Sequence, residues 1–458
     1  ARISTWERNV RSFLVPQRIA TLAFIASVFI ASQAFATFDD STTGAAKAEV
    51  EEDADFPSFC STGDAAEDAR QRERNAKLEK LAARCDDLGM RLEAKLTRLY
   101  KFSPFRVPLT PPRVASDADA WRLSWVRRLD GLDEPVSSVV FSDSPVFNGR
   151  VKTRWGWLFP DQISRYEDGE RFIDGEWTTV EGAERIISSR GAAWTIETPT
   201  WVIYWRGDLE EGAVAADLLE RFTEFWRYFY RPEHFGRKVP RLKALVFANR
   251  NEYIQEISSV DVNAVNSIGG YFPALKMLFA YIGAEDFEAT LLHEACHQLF
   301  AETSGASTKL GKRPGDGEDF WLVEGTACLA ESYRENGNFA YYGGLGSERL
   351  KLALEALRNG EFWSITSLRR YSSKEFQNSS DVLDLYAFSA LWCSYLSAID
   401  RKRYVEAVWA VYSRGPAKSV RLDSNYFGVE TTNASSLKCF FDSLDKIEKN
   451  AHSNGNAQ

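Results

Sequence analysis

The stretch from Thr290 to Phe300 restricts what this chain can fold into more than any other part of its sequence. It contains the pattern His-Glu-x-x-His at residues 293–297, its flanks are apolar, and no Gly or Pro interrupts residues 289–301. These features predict a helix. Two side chains four positions apart on a helix are separated by about 6 Å along the axis and about 40° around it, so both imidazoles can reach one metal ion.

The residue types in this pattern are those of a catalytic zinc site. His293 and His297 supply two nitrogen ligands, and Glu294 can reach a water on the metal and act as a general base. The chain has only four histidines, and two of them fall within the pattern. The sequence therefore predicts a Zn²⁺ site; the alternative is a helix that carries two surface histidines and no metal.

A zinc site of this kind needs a third protein ligand. A third histidine at the usual spacing is excluded because Thr303 occupies that position, and a carboxylate is therefore expected. The downstream candidates are Glu302, Glu318, Asp319, Glu324 and Glu331. Glu324 is preferred because it lies in an apolar helical segment, where a buried carboxylate needs a partner. Glu331 is interpreted as a solvent-facing carboxylate or as one that orients a histidine of the pattern.

These motifs resemble those of a known family. The pattern at residues 293–297, followed by Trp321-Leu322-Val323-Glu324-Gly325, is similar to the gluzincin metallopeptidases and, more narrowly, to the bacterial peptidase-MA-like domain family of exported proteins. The resemblance covers about residues 192–444 and includes Gly269-Gly270-Tyr271-Phe272 before the metal helix. The two metal motifs are its specific part.

The resemblance implies a role for each residue of the site. The zinc ligands would be His293, His297 and Glu324. The general base would be Glu294, and a downstream tyrosine would stabilise the oxyanion. Tyr386 fits that last role best, with Tyr341 and Tyr342 as rivals; the alternative for Tyr386 is a core aromatic on a helix.

The resemblance also implies where a substrate binds. In zincins the strand before the metal helix forms the edge of the sheet, and an extended peptide adds to it as another strand. That role falls on Tyr271–Ile282, where apolar side chains alternate and a turn is expected near Pro273. The fold class expected for the chain is α+β, with a zincin-like catalytic domain that ends in a helical part.

The first 36 residues have the features of an export signal. Four arginines precede the apolar run at residues 19–30, and Ala34-Phe35-Ala36 offers a cleavage site. The alternative is an uncleaved anchor, because residues 19–38 carry no charge over the length of a membrane span. Either interpretation places the body of the protein outside the cytoplasm, in the periplasm, cell envelope or extracellular space.

The remaining sequence divides by composition. Residues 37–64 are acidic and predict a disordered linker. Residues 65–103 carry a leucine repeat that predicts an amphipathic helix lying on the body, or a short coiled coil between subunits. Residues 104–191 predict a small β-rich module, residues 192–450 the catalytic domain, and residues 451–458 a loose tail. Whether residues 37–120 form an inhibitory pro-segment, with Cys60 as a cap for the metal, stays open.

Six cysteines follow the predicted cleavage site, and an exported protein can form disulfides. Cys296 lies inside the first metal motif and Cys328 one turn after Glu324, so a disulfide between them is expected to lock the helices together. Two buried free thiols, or a thiolate that tunes the metal, are the alternatives. Cys393 and Cys439 are expected to pair in the C-terminal helices.

Charge narrows the functional class. The net charge is −9, whereas proteins that bind nucleic acids are usually basic. The sequence therefore predicts an exported zinc metallopeptidase whose partner is a peptide or protein substrate, with membrane contact only through the N-terminal anchor. A metal-bearing scaffold without activity and a zinc amidase that acts on cell-wall peptides are the alternatives.

Overall fold

The computed structural model describes residues 65–87, 94, 97–98, 105–108, 146–258, 267–284, 286–305, 314–315, 319–336, 339–343, 346–414, 422, 424–427 and 434–453. The predicted export signal and the acidic linker lie outside these residues. The tail expected from residue 451 begins as helix and not as loose chain, because the last helix extends to Ser453.

Thirteen strands are described: β1 (Phe105–Pro108), β2 (Val146–Phe147), β3 (Arg150–Thr153), β4 (Gly156–Leu158), β5 (Glu170–Ile173), β6 (Glu176–Thr179), β7 (Trp194–Glu197), β8 (Trp201–Trp205), β9 (Leu242–Phe247), β10 (Gly269–Phe272), β11 (Met277–Tyr281), β12 (Arg334–Asn336) and β13 (Phe339–Tyr342). The α-helices in the same part of the chain are α1 (Ala65–Asp87), α2 (Pro160–Glu167), α3 (Val180–Arg190), α4 (Leu209–Tyr230), α5 (Arg250–Ile257), α6 (Phe287–Ser304), α7 (Phe320–Ala330), α8 (Glu348–Arg358), α9 (Ile365–Leu368), α10 (Ser373–Gln377), α11 (Val382–Ile399), α12 (Arg401–Arg414), α13 (Ser424–Phe427) and α14 (Ala434–Ser453).

A mixed five-stranded sheet forms one layer beside α6, the helix that carries the His-Glu-x-x-His pattern, in the order β10-β11-β9-β8-β7. Strand β9 runs parallel to both of its neighbours, while β7 and β10 are antiparallel at the two edges. The central strand, Leu-Lys-Ala-Leu-Val-Phe, is apolar at five of its six positions, as expected where both faces are covered. The chain is therefore a mixed α+β protein.

Helix α4 packs on the metal helix through its aromatic face. Asp208 caps it, because Oδ1 accepts hydrogen bonds from two N–H groups of the first turn. Phe222, Phe225, Trp226 and Phe229 recur at three- and four-residue steps and are fully buried, as is typical of core packing. Trp226 meets the ring of Phe300 on α6 at a centroid distance of 4.9 Å. This contact joins α4 and α6 in one hydrophobic core.

Helix α7 lies against α11 at very short range. A Cβ atom at Gly325 would lie 2.5 Å from the carbonyl oxygen of Ser389 and 2.7 Å from Sγ of Cys393, so only glycine fits there. Helix α11 is long and apolar enough to cross a membrane, but 83% of it is buried inside the protein. That burial is typical of a core helix.

The N-terminal helix α1 lies on the body, as its amphipathic pattern predicts. Nε2 of Gln71 donates to the carbonyl oxygen of Ile399 at 2.6 Å and therefore satisfies the end of α11. Arg70 pairs with Asp400 at 3.0 Å, and Leu78 is fully buried. Strand β1 then pairs with β13, so the N-terminal region is attached to the rest of the described fold at two places.

Residues 146–190 contain two helices beside the predicted strands. The hairpin of β5 and β6 turns at Asp174-Gly175 with positive φ at both residues, as that dipeptide predicts. Helix α2 begins with Pro160 at its first position, and Thr179 caps α3 by accepting the N–H of Gly182. These two start signals were present in the sequence, but the prediction of a β-rich module did not use them.

We expect Gly325→Ala to destabilise the fold. The added methyl group would lie 2.5 Å from a backbone oxygen, so its steric cost should be near the upper end of the range of about 1–3 kcal/mol that is typical of overpacking. Alanine gains only about 1 kcal/mol over glycine in helix propensity. A net loss of about 2 kcal/mol in the free energy of unfolding should appear in urea titration. Leu352→Ala, at a half-exposed position of α8, is the control and should stay within about 0.5 kcal/mol.

Candidate metal centre

The predicted metal helix forms as expected and brings its two histidines together. His293 and His297 lie on α6 with their Nε2 atoms 3.1 Å apart. His293 is 1% exposed, and the His297 side chain is 15% exposed. One imidazole is therefore embedded in the protein, while the other faces partly outward.

Helix α7 brings Glu324 to the same point. Its Oε2 atom lies 3.6 Å from Nε2 of His293 and 3.4 Å from Nε2 of His297. Ligands bound at about 2.0–2.1 Å in a tetrahedral arrangement would lie about 3.3 Å from one another. The three observed distances are close to that value, so these residues can hold one metal ion.

The Glu324 carboxylate supports this assignment by its own surroundings. Its Oε2 atom is buried and has no hydrogen-bond partner among the described residues. A buried carboxylate oxygen without a donor is costly unless a cation neutralises it. A metal ion between the two histidines would supply that positive charge.

Electrostatics at this point favour a positive charge. Burial would raise the pKa of Glu324, but the two histidines outweigh it and lower that pKa to about 2. Burial would lower the pKa of His293, but Cys328, Glu324 and Glu331 raise it well above the ordinary value. The carboxylates of Glu324 and Glu331, which favour a proton on His293, also favour a cation in its place.

Glu331 orients His293 from behind, which is one of the two roles expected for it. Its Oε1 atom lies 2.9 Å from Nδ1 of His293. When Nε2 binds a metal, Nδ1 carries the proton and donates a hydrogen bond to this carboxylate. The Nε atom of Arg349 contacts both oxygens of Glu331, at 2.9 and 3.0 Å, and this fixes the carboxylate in turn.

His297 has a different partner behind it, which the sequence did not indicate. Its Nδ1 atom lies 3.5 Å from the hydroxyl of Tyr412 on α12. Tyr412 is buried and stacks on Phe300 at 4.7 Å. In the sequence Tyr412 is one aromatic among several on a helix, with no spacing relation to the metal motif, so only the tertiary structure reveals the contact.

Glu294 lies next to the ligands and against the edge of the sheet. Its Oε2 atom accepts the backbone N–H of Tyr271 at 2.7 Å. The edge strand is β10, and β11, which comes directly before α6, is the next strand inward. The prediction of an edge at Tyr271–Ile282 is thus wrong for β11, although the turn near Pro273 forms as expected.

Tyr386 is buried on α11 and is linked to His293 through two other side chains. Its ring packs edge-on against Phe376 and lies 5.1 Å below the guanidinium of Arg349. Through Arg349 it is connected to Glu331, which orients His293. Its role in stabilising an oxyanion stays a prediction. Of its rivals, Tyr341 lies in β13 and Tyr342 bonds the hydroxyl of Tyr230 in the core at 2.8 Å.

The other carboxylates considered as third ligand have different positions. Glu302 accepts the hydroxyl of Tyr271 at 2.5 Å and pairs with Lys276. Asp319 lies 3.7 Å from Arg369. Glu318 lies outside the described residues. Of the described candidates, Glu324 is the one that groups with both histidines.

Both predicted disulfides are wrong. Cys296 and Cys328 are buried free thiols, because Sγ of Cys296 faces the carbonyl oxygen of Thr326 at 3.8 Å while Cys328 lies beside His293 and Glu331. Cys439 is disulfide-bonded, but Cys393 is free. Burial raises the pKa of Cys328 to about 11, so its thiol keeps its proton at neutral pH when no metal is bound.

A second group of potential ligands shares His293. It consists of His293, Cys328 and Glu331, all buried. The nitrogen of His293 that faces Glu331 is Nδ1, and both oxygens of Glu331 already accept hydrogen bonds from Arg349. This group therefore supports the back of His293, whereas the group with Glu324 is the one that fits a metal.

Comparisons with known proteins give no identification. No family model matches the chain, and no curated protein matches it.

We expect one metal ion per chain, lost in Glu324→Ala and in His293→Ala. Glu331→Gln should keep the site but weaken metal affinity about 10- to 100-fold, because the partner of Nδ1 becomes neutral. Elemental mass spectrometry and a chelator competition titration measure both effects. Glu220→Gln alters another buried carboxylate, which bonds Thr198 and Thr200, and should keep a full metal content. Full metal content in Glu324→Ala would contradict this ligand set.

We expect the pH dependence of stability to change sign with the metal. The raised pKa of His293 stabilises the protein from which a chelator has removed the metal. This contribution is fully present at pH values below the pKa of histidine in the unfolded chain, about 6.5. It disappears as the pH rises through the pKa of His293 in the folded protein. In metal-loaded protein, protons compete with the ion, so stability falls as pH falls. Glu324, with a pKa of about 2, stays ionised throughout. Thermal unfolding between about pH 6 and about pH 9 measures both trends, and parallel trends would contradict the assignment.

Proposed function

We propose that this chain is an exported zinc-dependent metallopeptidase of the gluzincin type. The observation that carries the proposal is the set of three ligand atoms at 3.1, 3.4 and 3.6 Å from one another, with Glu294 on the same helix beside them. Two imidazole nitrogens and one carboxylate oxygen are the donor set of catalytic zinc. The comparisons do not identify a family, so the resemblance rests on these motifs and this geometry.

Zn²⁺ held by His293, His297 and Glu324 would supply a Lewis acid that lowers the pKa of a water and polarises a substrate carbonyl. The chain's own residues do the rest of the work. Glu331 and Tyr412 keep the protons of the two histidines on the nitrogens that face away from the ion. The Nε2 atom of each histidine is therefore unprotonated and can bind the metal.

Glu294 moves the proton in this proposal. Its carboxylate takes a proton from the attacking water as the new carbon–oxygen bond forms. It then gives that proton to the amine nitrogen as the carbon–nitrogen bond breaks. The residue ends the cycle as it began, so no further reactant besides water is needed.

The neighbouring strand suggests how a peptide is held. Strand β10 is the sheet edge beside Glu294, and a sheet edge can pair with an extended chain. The proposed substrate is therefore a peptide or protein that binds in extended form. Export is proposed from the N-terminal sequence and is supported by the disulfide at Cys439, since such bonds persist in oxidising compartments.

We expect Glu294→Gln to keep one zinc per chain and lower kcat for peptide hydrolysis by at least about 100-fold, because the amide cannot accept the proton. A peptide-library assay on zinc-loaded protein measures this, read by mass spectrometry. Glu288→Gln makes the same change on the exposed side of α6 and should leave kcat unchanged. Hydrolysis retained in zinc-replete Glu294→Gln would contradict the proposal. Zinc binding without any hydrolysis would indicate a scaffold, and cleavage of cell-wall peptides alone would indicate an amidase.

A further inference from the structure

A second stripe of polar side chains runs along α6 next to the histidines. Glu294, Gln298 and Glu302 are four residues apart, so they lie on one face of the helix. Each of them bonds the hairpin formed by β10 and β11. This polar stripe attaches the edge of the sheet to the metal helix.

The contacts of the polar stripe are specific. Glu294 accepts the backbone N–H of Tyr271 at 2.7 Å, and Glu302 accepts the hydroxyl of the same tyrosine at 2.5 Å. Between them, Nε2 of Gln298 donates to the carbonyl oxygen of Lys276 at 3.1 Å, in the hairpin turn. Glu302 also pairs with the ammonium of Lys276 at 3.2 Å.

Tyr271 spans the whole polar stripe. Glu302 lies eight positions after Glu294, which is about 12 Å along a helix. Tyr271 reaches Glu294 with its backbone N–H and Glu302 with its hydroxyl. Hydrogen bonds from a phenol to a carboxylate are short and strong, and the Glu302 side chain is only 8% exposed. Two fixed ends set the position of β10 along α6.

The strand also lies too close to the helix to shift freely. A Cβ atom at Gly269 would lie 2.8 Å from Cγ2 of Thr290 and 3.7 Å from Cγ of Glu294. The approach of β10 to α6 beside Glu294 therefore requires glycine. Close packing at Gly269 and the bonds of Tyr271 constrain the same part of the strand.

We propose that Tyr271 and Glu302 are positioning residues for Glu294. The phenol–carboxylate bond fixes β10 so that the N–H of Tyr271 holds Oε2 of Glu294. The other oxygen, Oε1, then accepts the proton of the attacking water and returns it to the leaving amine. This inference rests on the proposed peptidase function and goes beyond it, because neither residue belongs to the ligand set or to the His-Glu-x-x-His pattern.

Kinetics of four variants test the inference on zinc-loaded full-length protein. Tyr271→Phe and Glu302→Ala each remove the phenol–carboxylate bond and should lower kcat about 10-fold, with KM within about 2-fold and zinc content unchanged. Glu302→Gln keeps an oxygen that accepts the phenol and should restore most of kcat. Tyr281→Phe, on β11, is the matched loss of a hydroxyl and should leave kcat unchanged.

Two further measurements separate positioning from general damage. The double variant of Tyr271→Phe and Glu302→Ala should be no slower than either single variant, because both remove the same bond. Hydrogen exchange of the peptide containing residues 269–272 should be about 10-fold faster in Tyr271→Phe than in wild type, a readout that does not depend on activity.

The outcomes distinguish this inference from the proposed function. Slower turnover with faster exchange, recovered in Glu302→Gln, would support it. An active wild type with unchanged kcat in Tyr271→Phe would overturn the positioning role and leave the peptidase function in place. A wild type that binds zinc but hydrolyses nothing would overturn both, even if the exchange result confirmed that the phenol–carboxylate bond holds the strand.

Discussion

The Glu324 carboxylate is buried between two imidazoles, and taking such a charge out of water costs several kcal/mol. Its Oε2 atom has no hydrogen bond among the described residues, so the cost is offset only by positive charge at the two histidines or by a cation between them. The surrounding packing keeps the carboxylate buried. Gly325 lets α7 lie directly on α11, and Trp226 packs on Phe300 of α6. Glu324 is only 3% exposed.

The local parts of this site could be predicted from the sequence, because they depend on helix periodicity alone. The spacing of His293 and His297 fixes their common direction, and the apolar segment around Glu324 implies burial. Arg349 and Tyr412 could not be found in this way. Along the chain, Arg349 is 18 positions from Glu331, and Tyr412 is 115 positions from His297. Such contacts depend on how whole helices pack.

The errors have the same origin. The cysteines were paired by their distance from the metal motifs along the chain, but side chains on adjacent helices point in directions that the sequence does not reveal. Cys328 faces His293 and not Cys296. The resemblance places the edge of the sheet on the strand directly before the helix of the His-Glu-x-x-His pattern, but here that strand is β11, and β10 lies outside it. The pair of glycines in β10 is a weak strand signal, yet it permits the close approach that the edge position needs.

The free thiols have a consequence for how opening of this centre can be observed. Cys328 lies on α7, and Cys296 and Cys393 lie against α7 at Thr326 and Gly325. All three are buried, and their pKa values are raised chiefly by burial. A thiol of this kind does not react with an alkylating reagent until the helices separate and water enters. The rate at which these three cysteines are labelled therefore reports how often the helices around the ligands come apart. Cysteine labelling would therefore measure the lifetime of the packed arrangement of these helices without an added probe.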